Sequence, residues 1–392
     1  DRVTHYWLDE YHIDGFRFDF TKGFSNNSNN YDDDRIDLLK RMADTIWSAH
    51  PNAYVILEHW ASNNEEKILS NYGMLLWGNV TYGYQESGMG YTSNSDLSWG
   101  VYKHRNWNDP HLISYMESHD EERIMYKNIT YGNNGTNHNV KNLITSLERC
   151  EALAVLMLST PGPKMIWQFG EQGYDISIDY PCRVCNKPIL WHYLQENSRK
   201  RLFDVYKAII NLRKNHDVFT GDDFTYSLNQ AVKTLKLNDS SMNAVVLANF
   251  DVNEKDKQFT FQHNGWWYEY FSGDSINVAG NYNFTLGPGE YRLYTDTKLS
   301  LPNILNTLST NDYEIANWEV EIYPNPSSNI LNVNVKDFEN QEIKYTIINY
   351  SGKIIKQENK FMKEMTLNIE DLKQGNYYLI LEQNNKIISK EF

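Results

Sequence analysis

Apolar and polar positions alternate in residues 13–20, where Phe16, Phe18 and Phe20 share one parity and Arg17 and Asp19 share the other. Because a strand sends successive side chains to opposite faces, the pattern predicts a strand with aromatic rings on one face and a charged pair on the other. The rings would pack beneath helices, and Asp19 would lie at the carboxyl end of the strand. A buried Arg17–Asp19 ion pair that only satisfies itself is the alternative interpretation.

Similar apolar runs, each followed by an amphipathic helical pattern, recur through residues 1–217. Strands are predicted at 15–20, 54–57, 74–77, 111–117 and 164–169, and helices at 3–11, 36–46, 65–72, near 97–107, 140–158 and 198–215. Alternating strands and helices are typical of a parallel sheet or barrel. A TIM (β/α)8 barrel has eight such units, so about five units predict its C-terminal part. We expect the first three upstream of Asp1, because the sequence starts inside a helical pattern without Met or a signal peptide.

The pattern changes after residue 217 to short alternating runs separated by turn residues. Residues 218–297 predict an antiparallel β-sandwich, and residues 298–315 are polar and aperiodic, which indicates a linker. Residues 316–392 contain seven short strand-like runs and predict a small Ig-like sandwich. The predicted fold class is therefore an α/β barrel portion followed by two all-β sandwich domains.

The composition argues against some classes of function. The net charge of −14 and the lack of a basic patch argue against nucleic-acid binding, and no apolar run is long enough to cross a membrane. Aromatic residues make up 14% of the chain, and their flat rings suit stacking on sugars as well as core packing. Cys182 and Cys185 lack further ligands at zinc spacing, which leaves a local disulfide or two unremarkable thiols.

Three acidic residues end successive predicted strands or lie just past them: Asp19, Glu58 and Asp120. Strand ends at one barrel face converge on one pocket. Cleavage of a glycosidic bond with retention needs one carboxylate as nucleophile and another as proton donor, and a third can stabilise positive charge on the sugar. Arg17 would keep Asp19 ionised, and desolvation would let Glu58 hold its proton. Alternatively, Glu58 and Asp120 cap helices and His119 is an ordinary loop histidine.

Short motifs carry a family resemblance. The sequences GFRFD at 15–19, VILE at 55–58 and ESHD at 117–120 resemble, in order and spacing, the second, third and fourth signature regions of glycoside hydrolase family 13, the alpha-amylases, and PGP at 161–163 leads into the last predicted strand as it does there. The resemblance covers about residues 1–297. It implies that Asp19 is the nucleophile, Glu58 the general acid/base and Asp120 the transition-state stabiliser.

The resemblance also implies three substrate-binding residues. Arg17 would support Asp19, His119 would bind sugar hydroxyls, and Lys22 would lie on the leaving-group side. Gly23 stands where the family often has His, and residues 25–34 lengthen the usual gap between two motifs. The first signature region and the loop domain that usually carries calcium are absent, so no cofactor is predicted from these residues, and calcium is allowed only through an upstream part.

A second resemblance lies at the C-terminus. The sequences YPNP at 323–326, YSGK at 350–353 and LKQGNYY at 372–378, together with Lys390, resemble the C-terminal sorting domain of the type IX secretion system. This implies that the chain is exported through that machinery to the surface or surroundings of a Bacteroidetes-type bacterium. The alternative is a carbohydrate-binding sandwich.

Together these features predict a secreted retaining hydrolase of α-1,4-glucans such as starch, glycogen or maltooligosaccharides. One alternative is a transglycosylase of the same clan, such as a branching enzyme, which uses the same three carboxylates and transfers the sugar to another sugar rather than to water. The other is a truncated, non-catalytic glycan-binding protein.

Overall fold

The computed structural model describes residues 1–27, 31–304, 314–315, 318–336, 342–349, 354–361, 364–383 and 386–392. Contacts divide the chain into two compact units. The first unit contains Asp1–Arg183 and Val205–Asn303, and the second contains Val184–Asp204 and Ile304–Phe392. The predicted limits of the barrel portion and of the sandwich after it stay predictions, and Val184–Asp204 of the predicted barrel portion belongs to the second unit.

Helices and parallel strands alternate through the first part of the chain. The helices are α1 (Arg2–Tyr11), α2 (Asp33–Ala49), α3 (Asn63–Tyr72), α4 (Thr81–Met89), α5 (Ile124–Tyr131), α6 (Leu143–Ser159) and α7 (Asn197–Asn215). The strands are β1 (Gly15–Phe18), β2 (Tyr54–Leu57), β3 (Leu75–Asn79) and β4 (Leu112–Tyr115). They pair in parallel in the order β1-β2-β3-β4, which confirms four of the five predicted strands.

The fifth predicted strand, residues 164–169, is reduced to one parallel bridge between Lys164 and Ser114 of β4. Ser114 N donates to Pro163 O at 3.3 Å, and Met165 N donates to Ser114 O at 3.2 Å. The ladder does not continue, because the chain turns at Trp167 and Phe169, where Gly170 N donates to Trp167 O and Phe169 is left-handed at φ 65°. The alternation of residues 164–169 predicted a longer strand than these contacts support.

Helix α2 follows from its sequence pattern. Asp32 is the N-cap, and its carboxylate accepts from Arg35 N at 3.2 Å. Such a cap satisfies one of the free N–H groups of the first turn. Ile36, Leu39 and Ile46 of the predicted apolar stripe are buried, so this stripe is the face that packs against the core.

The helix predicted near residues 97–107 is wrong. Two short 3₁₀ turns, Ser98–Gly100 and Tyr102–Arg105, stand in its place. They are separated by Val101, which is extended, and closed by Asn106, which is left-handed at φ 59°. Regular α-helical hydrogen bonding cannot continue through either conformation.

An antiparallel domain follows α7 and confirms strand-rich, hairpin-connected structure after residue 217. Its strands are β5 (Phe224–Ser227), β6 (Val232–Leu237), β7 (Ala244–Asn249), β8 (Lys255–Thr260), β9 (Gly265–Glu269), β10 (Ser275–Val278), β11 (Asn281–Leu286) and β12 (Tyr291–Thr295). They form a six-stranded sheet, β10-β9-β12-β7-β6-β5, and a two-stranded ribbon, β11-β8. Phe259 and Phe284 of the ribbon pack with Trp267 and Val245 of the sheet in one core.

The second unit is built on two further sheets. Its strands are β13 (Glu314–Ile315), β14 (Glu319–Tyr323), β15 (Ile330–Lys336), β16 (Glu342–Asn349), β17 (Ile354–Phe361), β18 (Glu364–Asn368), β19 (Tyr377–Gln383) and β20 (Lys386–Glu391). The sheet orders are β13-β20-β19-β16-β17 and β14-β15-β18. Inward residues of both sheets, such as Val333 and Ile347, share one core. All seven strands predicted for this region are confirmed.

Two segments that precede the predicted sandwich in the sequence also contribute residues to this unit. Ile189 and Trp191 pack against a cluster formed by Ile348, Tyr378, Ile380 and Ile387. Of the predicted linker, residues 298–304 have no helix or strand, and Glu314 begins β13. Residues 305–313 lie outside the described part, as do residues 350–353 of the YSGK motif and residues 28–30 of the predicted insertion.

Candidate active site

The first predicted carboxylate pair lies where β1 and β2 end side by side. Glu58 N donates to Phe18 O at 2.9 Å, which continues the pairing of the two strands by one residue. Phe20 then turns left-handed at φ 44°, and its N–H donates to Glu58 Oε2 at 2.8 Å. Because the backbone turns at Phe20, its ring leaves the aromatic face of the strand and is 49% exposed. The prediction that Phe16, Phe18 and Phe20 pack together beneath helices is therefore wrong for Phe20.

Arg17 joins the two carboxylates. Its Nη1 lies 2.6 Å from Asp19 Oδ1, and its Nη2 lies 3.0 Å from Glu58 Oε2. The first contact is an aligned hydrogen bond. The second is an ion pair without hydrogen-bond alignment, since Nη2 has no hydrogen-bond partner among the described residues. Arg17 therefore faces both acids, which excludes a simple Arg17–Asp19 pair.

The pKa values of the two carboxyl groups are shifted in opposite directions. The hydrogen bond from Arg17, and then a hydrogen bond with Glu58, lowers the pKa of Asp19. Burial raises the pKa of Glu58, against the opposing effects of the Phe20 N–H and the Arg17 charge. The side chain of Asp19 is 79% exposed and that of Glu58 only 5%. The site thus favours the ionised form of Asp19 and makes Glu58 the more easily protonated of the two acids.

His119 and Asp120 follow β4. His119 Nε2 lies 3.3 Å from Asp120 Oδ2, and both side chains are about half exposed. Asp120 N donates to Ser118 Oγ at 3.0 Å, and Asp120 O accepts from Arg183. The charge of His119 contributes to the low pKa of Asp19. The described contacts of Asp120 do not include Asp19 or Glu58, so His119 is the link between the two parts of the site.

The helix-cap alternatives are wrong for both acids. The N-cap of α3 is Ser62, and the carboxylate of Glu58 accepts from Phe20 instead. The N-cap of α5 is Arg123, three residues after Asp120. Neither carboxylate therefore terminates a helix, which leaves them available for chemistry.

A cavity of about 490 Å³ opens beside these groups. It is lined by Arg17, Trp77, His119, Met165, Ile166, Trp167 and Gln168. The rings of His119 and Trp167 lie 5.9 Å apart. A cavity with indole and imidazole walls and one guanidinium suits a flat, hydroxylated ligand, whose apolar face can stack while its oxygens accept hydrogen bonds.

Two aromatic residues that the sequence reasoning missed support Arg17. The guanidinium of Arg17 lies 5.2 Å from the ring centre of Trp77, and the Trp77 and Tyr115 rings lie 4.9 Å apart. The Tyr115 hydroxyl is buried with no hydrogen-bond partner among the described residues. Burial, and then the charges of Glu121 and Glu58, raises the pKa of Tyr115. The available signal was an aromatic residue at or near the end of the predicted strands 74–77 and 111–117.

Lys22 lies away from the cavity lining. It belongs to the 3₁₀ turn Thr21–Phe24, and its ammonium lies 5.3 Å from the Phe20 ring centre. A Cβ at Gly23 would lie 2.6 Å from that ring. A side chain at position 23 would therefore require the Phe20 ring to move. The place of Lys22 on the leaving-group side stays a prediction.

A buried polar network lies behind Glu58. Arg35 pairs with Glu65 at 2.7 Å, Glu65 contacts His59 at 2.8 Å, and His59 Nδ1 lies 2.9 Å from Thr21 Oγ1. Thr21 donates to Glu58 O from both its backbone N–H, at 2.8 Å, and its hydroxyl, at 3.1 Å. All four side chains are fully buried. The network fixes the backbone that carries Glu58, and no short motif signalled it.

Possible metal ligands and cysteines were also located in the part of the chain that the structure describes. It contains no group of three or more His, Cys, Asp or Glu side chains that could hold a metal ion. Calcium stays an expectation from the resemblance alone. Cys182 and Cys185 are disulfide-bonded, and Cys150 is a buried cysteine outside that disulfide. None of the helices described is both long and apolar enough for a membrane span.

Comparison with known proteins assigns the C-terminal region. Residues 321–392 match the family described as "Secretion system C-terminal sorting domain". Because such a domain directs type IX secretion, the chain is a secreted or cell-surface protein of the Bacteroidetes type. No curated protein matches the chain.

Solved structures resemble the remainder. AmyP in complex with maltose has 14% sequence identity and a TM-score of 0.54, over 75% of this chain and 66% of that one. An alpha-amylase from Geobacillus thermoleovorans complexed with acarbose has 15% identity and a TM-score of 0.54, over 75% and 62%. Eubacterium rectale Amy13B has 16% identity and a TM-score of 0.55, over 76% and 62%.

At these identities the likeness concerns the fold. Over about three quarters of its length the chain is similar in fold to these structures, which combine a TIM barrel with β domains. It spans 62–66% of the length of these three structures. Together, the comparisons describe a secreted or cell-surface protein with an amylase-like fold.

Proposed function

We propose that the protein is a retaining glycoside hydrolase that cleaves α-1,4-glucans such as starch, glycogen and maltooligosaccharides outside the cell. The observation that supports the proposal most strongly is the contact of Arg17 with both acids, at 2.6 Å from Asp19 and 3.0 Å from Glu58. At the same time, the pKa of Asp19 is lowered and that of Glu58 is raised. Two adjacent carboxyl groups in opposite protonation states are what double displacement requires.

In the proposed first step, Glu58 gives its proton to the glycosidic oxygen as the bond from that oxygen to the anomeric carbon breaks. Asp19 attacks the anomeric carbon from the other side and forms a glycosyl ester. In the second step, the Glu58 carboxylate takes a proton from water, the water oxygen bonds to the anomeric carbon, and the ester bond to Asp19 breaks. Both groups return to their starting states, and the sugar keeps its configuration.

The remaining residues would hold the sugar and its developing charge. His119 would donate to a hydroxyl of the reacting sugar, and Asp120, 3.3 Å from His119, would stabilise the positive charge on the ring. Trp77 and Trp167 of the cavity wall would stack on sugar faces. The proposed roles of Lys22 and Asp120 rest on the resemblance more than on contacts.

The parallel strands of the first part of the chain support a partial barrel. The strands β1 to β4, with the parallel bridge at Lys164, would supply five positions of a (β/α)8 barrel. We propose residues 1–217 as this barrel portion, residues 218–297 as the following sandwich and residues 316–392 as the sorting domain. The order of the strands and the length ratio to the amylase structures support this division.

Substitution of the two acids tests the function. In the complete protein, Asp19→Asn and Glu58→Gln should each lower turnover on soluble starch by about three orders of magnitude or more, because each removes a group that acts on the reacting bond. The measurement is the release of reducing ends. Asp44→Asn, on the exposed face of α2, is the matched control and should behave as wild type.

Near-normal turnover in either active-site variant would contradict the assignment. New α-1,6 branches in place of reducing ends would identify a transglycosylase instead. An inactive wild-type protein that still binds glucans would identify a non-catalytic binding protein.

A further inference from the structure

An arginine lies between two tryptophan rings beside α3. The guanidinium carbon of Arg105 lies 4.4 Å from the ring centre of Trp99 and 5.2 Å from that of Trp107. Arg105 is 3% exposed and Trp107 is 4% exposed, whereas Trp99 is 45% exposed. The stack therefore has a buried base, and Trp99 presents one ring to solvent.

Several hydrogen bonds hold this stack rigid. Arg105 Nη1 pairs with Glu66 Oε2 at 2.9 Å, and Arg105 Nε donates to Trp99 O at 2.8 Å. Trp107 Nε1 donates to Asn63 Oδ1 at 3.0 Å, while Asn63 Nδ2 donates to Arg105 O at 2.9 Å. Because Asn63 and Glu66 are on the first turns of α3, the exposed ring is fixed to a regular element. A rigid ring loses little entropy when a ligand stacks on it.

Polar aromatic residues extend the ring into a row. The His104 ring meets Trp99 nearly edge-on at 6.1 Å, and the Tyr226 ring of β5 lies 6.5 Å from His104. His104 is exposed and Tyr226 is half-buried. The row therefore combines one apolar face with imidazole and phenol groups that can hydrogen-bond to hydroxyls.

We propose that the outer face of Trp99, flanked by His104 and Tyr226, is a second binding site for an α-glucan chain. This inference rests on the proposed function, since the chain would be substrate polymer. One glucose ring would stack on Trp99, and its hydroxyls would reach the side chains of His104 and Tyr226. The three residues are absent from the lining described for the active-site cavity, so a long polymer could occupy both sites.

The surroundings favour a sugar over a protein partner. Stable protein interfaces bury on the order of 800 Å² per partner and centre on apolar clusters. The segment that follows Trp99 instead has three exposed polar residues, Lys103, His104 and Asn106, and Lys103 donates to Asp222 O. A single flat ring in a polar rim matches one sugar face, and a neutral polysaccharide is not repelled by a chain with a net charge of −14.

Affinity electrophoresis in native gels containing glycogen tests the site. Glu58→Gln is used as background so that the polymer is not digested, and Trp99→Ala is compared with Trp266→Ala, a matched control whose ring is 53% exposed on β9. Trp99→Ala should raise the apparent Kd for glycogen about two- to tenfold, the range of one lost stacking contact. Trp266→Ala should migrate like its parent, and Trp99→Phe should recover most of the retardation.

Retardation of Trp99→Ala equal to that of its parent would overturn the proposal, as would an equal loss in Trp266→Ala. A thermal melt of each variant separates lost binding from lost folding, and the folded Trp99→Phe variant decides the outcome if Trp99→Ala does not fold. If the wild-type protein cleaves maltooligosaccharides but glycogen never retards the background variant, this inference alone fails. If it neither cleaves nor binds any α-glucan, the proposed function fails as well.

Discussion

At the scale of single residues, Arg17 is the side chain that contacts both acids of the candidate site. Its guanidinium lies on the ring of Trp77 and reaches both Asp19 and Glu58. The positive charge opposes protonation of both acids, but burial outweighs it at Glu58 and raises the pKa there. The same guanidinium therefore contacts two carboxylates whose pKa values shift in opposite directions, because only Glu58 is buried.

Replacing Arg17 should move the pH dependence in a defined direction. In Arg17→Gln, Asp19 loses the hydrogen bond that lowers its pKa, and Glu58 loses an attraction that favours its ionised form, so both pKa values rise. The proposed mechanism needs ionised Asp19 and protonated Glu58. Both limbs of the kcat/KM profile should therefore move to higher pH, and kcat should fall by about a hundredfold or more.

The comparison is the pH profile of Arg41→Gln, which removes an exposed guanidinium paired with Asp1 and should leave both limbs in place. A lower rate in Arg17→Gln with unmoved limbs would show that Arg17 only binds substrate. It would also contradict its effect on the two acids.

Some residues of the candidate site were predictable from local sequence and others were not. Alternation and motif order predicted Arg17, Asp19 and Glu58, since these depend on neighbours along the chain. Trp77, Tyr115 and the Arg35–Glu65–His59 network depend on contacts between strands and helices that are far apart in sequence. No local pattern distinguishes such aromatic and charged residues from ordinary core and surface positions.

At the scale of elements, the site depends on the close pairing of β1 and β2. Tyr54 N donates to Asp14 O at 2.8 Å, and Phe18 pairs with Leu57. A Cβ on Gly15 would lie 2.2 Å from Tyr54 O. Only glycine allows this approach, and the register that follows from it sets Arg17 beside Glu58.

Gly15→Ala should therefore damage both stability and activity. The added methyl group must separate the strands, which should cost about 1–3 kcal/mol of unfolding free energy, a typical overpacking penalty. Denaturant unfolding measures the loss. Gly221→Ala is the matched control, because its Cβ would meet only Asp217 O at 3.5 Å. Equal stability of the two variants would contradict the importance of this close contact.

The elements themselves were largely predictable. Strands β1 to β4, most helices and the seven strands of the C-terminal sandwich follow from periodicity and turn residues. Residues 164–169 and 97–107 were mispredicted, because a local apolar pattern does not show whether a ladder has a partner or whether Val101 and Asn106 leave helical geometry.

At the scale of the molecule, the order of the regions along the chain was predictable, but the compact unit to which residues 184–204 belong was not. The sorting domain at 321–392 and the amylase-like fold agree with the motifs that suggested them. The segment Val184–Asp204 belongs to the unit that contains Ile304–Phe392, where Trp191 packs with Tyr378. Residues separated by this much sequence carry no shared pattern, so sequence alone could not assign the segment.

The central claim is that Asp19 forms a covalent bond to the sugar. The most direct measurement is trapping with a 5-fluoro-α-D-glucosyl fluoride, a slow substrate of retaining α-glycosidases, followed by mass spectrometry of the digested complete protein. The complete protein should carry one added fluoroglucosyl group on the peptide that contains Asp19, and the Asp19→Asn variant should carry none. A label on Glu58 or Asp120, or glucan cleavage with inversion and no label at all, would show that Asp19 is not the nucleophile.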